Sequence, residues 1–227
     1  MTPARAHYLR VSAEMAQAHT QAGSGLENCT EYELMLVKLA ADRRRLKSVQ
    51  SMERKAEVKR GLLPDYAPWI DGVLAAGRGA QDEVLMSVMV WRMDAGDFEG
   101  ALDIADYALQ HSLVMPDRYQ RTTATVIAEE VADTAIKQQE AGNGPSYGLL
   151  CAYLELLTHC DIFDQVRAKL HKAVGRAALA EGLKPQAAEH YRRAIELHDK
   201  VGIKKELEVL ERELKKEQQP DATGGGS

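Results

Sequence analysis

The sequence predicts an all-α protein, with a long basic helix near the N-terminus followed by an α-solenoid-like, tetratricopeptide-like helical domain. Three observations support this. Only 5 % of the 227 residues are aromatic, while Ala, Leu and Glu abound and runs of β-branched residues are lacking, a composition that favours helix over strand. Apolar residues recur at helical spacing between Gly- and Pro-marked breaks. Two phrases, AGDFEGALDIADYAL and AEGLKPQAAEHYRRAIEL, repeat one helical-hairpin grammar: Gly96, Ala101, Ala108 and Leu109 align with Gly182, Ala187, Ala194 and Ile195 at a constant offset of 86. Two copies fall short of a regular array, so a solenoid-like domain is expected rather than a true repeat protein.

Residues 1–29 read as a flexible arm ending at Gly23-Ser24-Gly25. Residues 30–61 read as one capped helix. Thr30 and Glu33 have capping-box spacing, Cys29 and Leu34 can form the hydrophobic staple, and Gly61 with Pro64 supplies the stop. Tyr32, Met35, Leu36, Leu39, Leu46 and Val49 make a partly heptad-like seam suited to self-association. Pro64 and Pro68 then turn the chain into a short helix carrying Trp69, Ile70, Val73 and Leu74, which Gly77-Arg78-Gly79 ends. Helices follow over about 81–94, from Asp97 to about 111, and over about 122–140, 147–159 and 164–181. They divide between a domain at 62–160, with the first hairpin, and a C-terminal hairpin with its capping helix at 161–217. That last helix, about 203–217, lines up Ile203, Leu207, Leu210 and Leu214 to cap the solenoid or pair with another subunit; residues 218–227 read as a disordered tail.

Charge is uneven along the chain. The net charge is −5, yet residues 38–60 hold nine Lys/Arg (Lys38, Arg43, Arg44, Arg45, Lys47, Arg54, Lys55, Lys59 and Arg60) against three Asp/Glu, whereas residues 78–141 hold five against twelve. An acidic protein with one basic segment can still bind a polyanion. Phosphate contacts need only positive charge and reach, so these nine residues are the candidate DNA contacts. No helix-turn-helix signature accompanies them, and base readout is not implied.

Catalytic motifs are weak. Glu53-Arg54-Lys55 has the E-x-K triplet of one nuclease class, with Asp65 beyond it, but that class sets its metal-binding carboxylates on a mixed sheet. Asp94, Asp97, Asp103 and Asp106 are scattered around helices, and His159-Cys160-Asp161 with Cys151 and His171 lacks metal spacing. There is no GxxxxGKS, GxSxG or HExxH. No catalytic residue, metal or cofactor is expected. Trp69 and Trp91 lie on apolar faces and read as core. No apolar stretch reaches the ~20 residues that span a bilayer. The N-terminus lacks the apolar region of a secretory signal, and three cysteines without pairing or metal spacing suit a reducing compartment.

The stretch Tyr32–Arg121 resembles the small terminase subunit of temperate tailed phages with cohesive ends, a family often described as the terminase endonuclease subunit. YELMLVKLAADRRRLK, LLPDYAPWIDGVL, GRGAQDEVLMSVMVWRMDAGDFEGALDIADYAL and MPDRYQRT carry the resemblance, with VRAKLHKAVG and GIKKELEVLERELK further on. The resemblance implies a homo-oligomer, often a ring, that recognises the packaging site on double-stranded viral DNA in the host cytoplasm. It would deliver that DNA to the large ATPase/nuclease subunit. Members can end in a Lys/Arg-rich tail. This chain ends in PDATGGGS; if such a tail binds DNA in relatives, the expectation is that residues 38–60, or an assembly partner, carry that contact here. Two other readings stay open: a tetratricopeptide-like protein adaptor without DNA binding, and a metal-dependent endonuclease that cuts the cohesive-end site.

Overall fold

The computed structural model describes residues 1–18 and 30–218, and every regular element among them is a helix. Eleven α-helices follow in order: α1 Pro3–Ala18, α2 Thr30–Lys47, α3 Met52–Leu62, α4 Ala67–Ala76, α5 Glu83–Ala95, α6 Phe98–Gln110, α7 Thr123–Glu140, α8 Tyr147–Leu156, α9 Asp164–Ala180, α10 Lys184–Leu197 and α11 Lys204–Gln218. They form two compact units, Met1–Glu130 and Val131–Ser227, and the boundary falls within α7.

The rod expected over 30–61 is two helices. α2 stops at Lys47 because Ser48 turns its hydroxyl back onto the carbonyl of Arg45 (2.7 Å). Ser51, extended at φ −66° and ψ 129°, then starts α3 by accepting from Arg54 N (3.3 Å). Serines that hydrogen-bond the local backbone compete with continued helix, and here two of them bracket Val49 and Gln50. Gly61 ends nothing: α3 runs through it to Leu62 and passes into a single 3-10 turn at Leu63–Asp65. Gly77, with φ 61°, is the residue that closes α4. The Thr30 cap, its staple from Cys29 and the C-terminal tail lie outside the residues whose side chains are described.

The first unit is built around α5. Val84, Leu85, Met86, Ser87, Val88, Met89, Val90, Trp91, Met93 and Ala95 are all buried, so this helix is covered on every side. Asp82 starts it by accepting from Val84 N (2.7 Å) and Leu85 N (3.0 Å), while its other oxygen takes the indole N–H of Trp69 (2.8 Å). Trp69 is fully buried and stacks on Tyr32, and Trp91 meets Tyr66 edge-on, so both tryptophans are core residues. Within the segment expected as a flexible arm, Pro3–Ala18 form α1. α1 crosses α4 so closely that a Cβ on Gly72 would lie 2.2 Å from the Arg10 carbonyl oxygen and 2.7 Å from Ala13 Cβ.

The hairpin grammar survives as structure. Gly96 (φ 83°) closes α5 with Asp97 N donating to Arg92 O, and Gly182 (φ 78°) closes α9 with Leu183 N donating to Ala178 O. Both are the six-to-one bond of a helix ended by a left-handed glycine. Ala101 and Ala108 in α6, like Ala187 and Ala194 in α10, are fully buried at their hairpin contacts. In the second unit, α11 packs on α10, with Ile203 and Leu210 buried and Leu207 and Leu214 partly buried against the same cluster. The stripe on the last helix therefore serves the chain's own core.

Candidate functional site: a cationic cleft at the α2–α3 junction

The seam on α2 faces inward. Tyr32, Met35, Leu39 and Leu46 are buried in the chain's own core, and Leu36 and Val49 are half-buried. Tyr32 also accepts from Glu83 N through its hydroxyl (2.9 Å), and burial pushes that phenol well above its usual range. These residues hold α2 onto the first unit and are not free for another copy while the fold is intact.

α2 and α3, on either side of the 48–51 break, line a cleft of about 1030 Å³ together with residues of α5 and the 114–118 segment. Arg43, Arg44, Lys47, Lys55, Lys59 and Arg118 line it, against two carboxylates, Glu83 and Asp117. Leu36, Leu46, Trp91, Val114, Met115 and Pro116 supply its apolar walls. The 114–118 wall is pinned by a two-way amide contact: Gln81 Nε2 donates to Val114 O and Val114 N donates to Gln81 Oε1, both at 2.9 Å. No sequence signal marks Arg118, which sits in an acidic stretch and reaches the cleft only through the tertiary fold.

The nine candidate cations fall into two groups. Lys38 bonds Asp42 (2.9 Å) and Asp65 (3.2 Å) and lies over the Tyr66 ring. Arg43 bonds Glu83 and Ser87 Oγ, both at 2.6 Å, and Arg118 shares the same two partners at 3.5 and 3.1 Å. Lys59 pairs with Asp94, and Arg60 Nε donates to Ala95 O (3.0 Å). Those four brace α2 and α3 internally. By contrast Arg44, Arg45, Lys47, Arg54 and Lys55 have no ion-pair or hydrogen-bond partner for their side chains among the described residues, and all five flank the 48–51 turn. Lys55 is half-buried and the other four are exposed.

The triplet Glu53-Arg54-Lys55 lies in the first turn of α3, where Glu53 is exposed, while Asp65 is held by Lys38. Among the described residues, no three His, Cys, Asp or Glu side chains converge so as to hold a metal ion. No helix of the described residues is long and apolar enough to cross a membrane. In the second unit His171 and His190 meet through their Nδ1 atoms at 3.1 Å, and the Tyr147 hydroxyl stands 3.5 Å from His190 Nε2. Burial, then the charges of His190, Arg193 and Arg167, push the His171 imidazole down to about 4; burial lowers His190 as well.

Fold and site together define an all-helical protein with a cationic cleft and a set of uncommitted basic side chains beside it. Residues 36–165, which include every residue of the cleft except Tyr32, match the family described as phage small terminase subunit. The chain belongs to that family, and its role lies in phage DNA packaging. It is 48 % identical over 219 residues to the "Terminase, endonuclease subunit" of Escherichia phage P2, covering 96 % of this chain and 88 % of that protein. It is 22 % identical over 209 residues to the "Probable terminase, endonuclease subunit" of Haemophilus phage HP1 (strain HP1c1), covering 86 % and 74 %. No solved structure matches it.

Proposed function

We propose that this chain is the DNA-recognising subunit of the packaging machinery. It binds double-stranded viral DNA at the packaging site through the α2–α3 junction and delivers it to the large ATPase/nuclease subunit in the host cytoplasm. The observation that carries this is the set of five uncommitted cations around residues 48–51. Local helix energetics account for only part of the set. Arg44, Arg45 and Lys47 occupy the last turn of α2, where cations complement the helix dipole by about 0.3–1 kcal/mol. Arg54 and Lys55 sit in the first turn of α3, where the same dipole disfavours them. Cations kept at an unfavourable helix end, without a carboxylate partner, are explained by an external anion. Spaced phosphates supply that anion and call for no fixed geometry.

In this reading Arg44, Lys47, Arg54 and Lys55 make the main phosphate contacts. Lys38, Arg43, Lys59 and Arg60 act mainly by fixing the angle at which the two helices present them. The tetratricopeptide-like hairpins, α5–α6 and α9–α10, serve contacts with the large subunit or with neighbouring copies. Fluorescence anisotropy with a packaging-site duplex tests the assignment. Arg44→Glu/Lys47→Glu/Lys55→Glu is expected to lose binding with an unchanged helical circular dichroism spectrum, and undiminished affinity overturns it. The endonuclease reading draws on the names of the relatives. It requires that the isolated chain nick cohesive-end DNA with a divalent metal and lose that activity on changing one carboxylate, with Glu53 the first to substitute.

A further inference from the structure

A second pocket lies beside α3 and α5, one residue further round each helix. Lys59 and Trp91 line the cleft, whereas Arg60 and Arg92 line this pocket, and the two share no lining residue. It encloses about 550 Å³ among the end of α3, the 3-10 turn, the start of α4 and the turn from α5 into α6. Leu63, Pro64, Ala67 and Ala95 give it apolar walls. Of its lining residues Asp97 alone carries a carboxylate, and both oxygens are taken. Oδ2 accepts from Arg92 Nη1 (2.8 Å), and Oδ1 accepts from Gly100 N (3.1 Å) to cap α6. Arg60 uses only its Nε within the chain, donating to Ala95 O, and its two Nη groups have no partner among the described residues. Arg92 Nε is buried without a partner. The place of Arg92 is built into the sequence: a Cβ on Gly100 would lie 1.7 Å from Arg92 Nη1, so any other residue there would push the guanidinium aside. Two arginines brought to one pocket repel each other, and a stranded buried donor is costly. An external anion offsets both.

We propose that this pocket takes a carboxylate flanked by an aliphatic side chain, presented by a protein partner. The carboxylate bonds the free Nη edge of Arg60, whose planar fork suits two oxygens, and Arg92 adds charge beside it. The aliphatic side chain covers Leu63, Pro64 and Ala67, removing apolar surface from water on both sides. These walls decide the class of anion. A DNA phosphate carries polar oxygens around its whole surface, and against apolar walls it would lose hydration without regaining hydrogen bonds. The inference goes beyond the DNA contacts assigned to the α2–α3 junction. It places a docking point on the α5–α6 hairpin, for which protein contacts are proposed, and it stands on the residues of this pocket alone.

An NMR titration of the full chain tests the pocket, with N-acetyl-L-leucine as the probe because it joins a carboxylate to an isobutyl group. Saturable shifts are expected in the Nε–H resonances of Arg60 and Arg92 and in the methyl groups of Ala67 and Ala95. N-acetyl-L-leucinamide lacks the charge and inorganic phosphate lacks the apolar group, so each should bind about tenfold more weakly or worse. Arg60→Gln should weaken binding of N-acetyl-L-leucine by about tenfold or more, because it removes hydrogen bonds from a charged donor. Ala67→Leu fills the pocket without changing its charge and should abolish the shifts at Arg60 and Arg92. A titration without saturable shifts overturns the proposal, as does binding of the amide or of phosphate as tight as that of the acid. Undiminished binding by Arg60→Gln or by Ala67→Leu overturns it as well. Ala67 takes no part in the cleft, and the affinity of Ala67→Leu for duplex DNA is expected to equal that of the wild type. Failure of this pocket is therefore distinguishable from failure of the DNA assignment.

Discussion

Replacing Arg44, Lys47, Arg54 and Lys55 together by Gln separates phosphate contact from structural bracing. Gln keeps helix propensity close to that of Lys and Arg, and none of the four side chains has a partner within the chain to strand. Each duplex phosphate contact contributes about 0.9 to the slope of log affinity against log salt, so removing four flattens that slope by about 3.6 per chain. Over a fourfold rise in salt the wild-type protein should thus lose about 150-fold more affinity than the variant. Anisotropy titrations of a duplex at several salt concentrations read this directly. The comparison protein is Lys59→Gln, which leaves the half-buried Asp94 without its cation. That variant should lose about 1–2 kcal/mol of stability, between the values for surface and buried pairs, while its salt slope changes by less than one. Should the fourfold variant keep the wild-type slope, or Lys59→Gln flatten it by as much, the division of the basic residues into contacts and braces is wrong.

Asp82→Ala removes the α5 cap and leaves the buried Trp69 N–H without an acceptor, so urea denaturation should show a loss of about 2–4 kcal/mol. Burial pushes the Asp82 carboxyl up to about 6, against a partial offset from its three hydrogen bonds. The folded state therefore holds this proton between about pH 4 and 6 while the unfolded chain has released it, and the stability Asp82 contributes falls as pH rises through that window. The difference in unfolding free energy between wild type and Asp82→Asn, measured at pH 4 and pH 7, should shrink in that direction. His171 has the opposite sign: its folded pKa lies below the unfolded one, so its contribution is present above about pH 6.5 and is lost as pH falls toward 4. An NMR titration should find its ring still neutral at pH 5, where an ordinary histidine is mostly charged. Gly72→Val places a branched side chain against the Arg10 carbonyl and Ala13, so α1 should lift from α4 at a cost of about 1–3 kcal/mol, read as faster amide exchange over residues 3–18.

The helices of this chain are legible in its sequence because their ends carry local chemistry. Gly77, Gly96 and Gly182 each take a positive φ where a glycine was expected to stop a helix, and the alanines at the 86-residue offset sit in both hairpin contacts. The rod misled because charge and heptad-like spacing continue across residues 48–51, while the break depends on two serine hydroxyls that turn onto nearby backbone. The α2 seam misled for another reason: an apolar stripe states that a face is buried, not against what, and other helices of the first unit supply the surface within the same chain, with Tyr32 stacked on Trp69 of α4. Pairing of charges is still less legible. Arg43 and Arg44 are adjacent, yet one is held by Glu83, forty residues away, and the other faces solvent. A helix advances 100° per residue, so neighbours in sequence point to different surroundings. That rotation also answers how one helix can serve a core and, in the proposed function, a nucleic acid. On α2 the core takes Leu39 and Leu46, the cleft takes Arg43 and Lys47, and the outward face keeps Val37 and Ala41. Arg44 and Lys47 both line the cleft and are both exposed, so Arg44→Ala and Lys47→Ala should each weaken binding of duplex DNA in anisotropy titrations while leaving the helical circular dichroism spectrum unchanged.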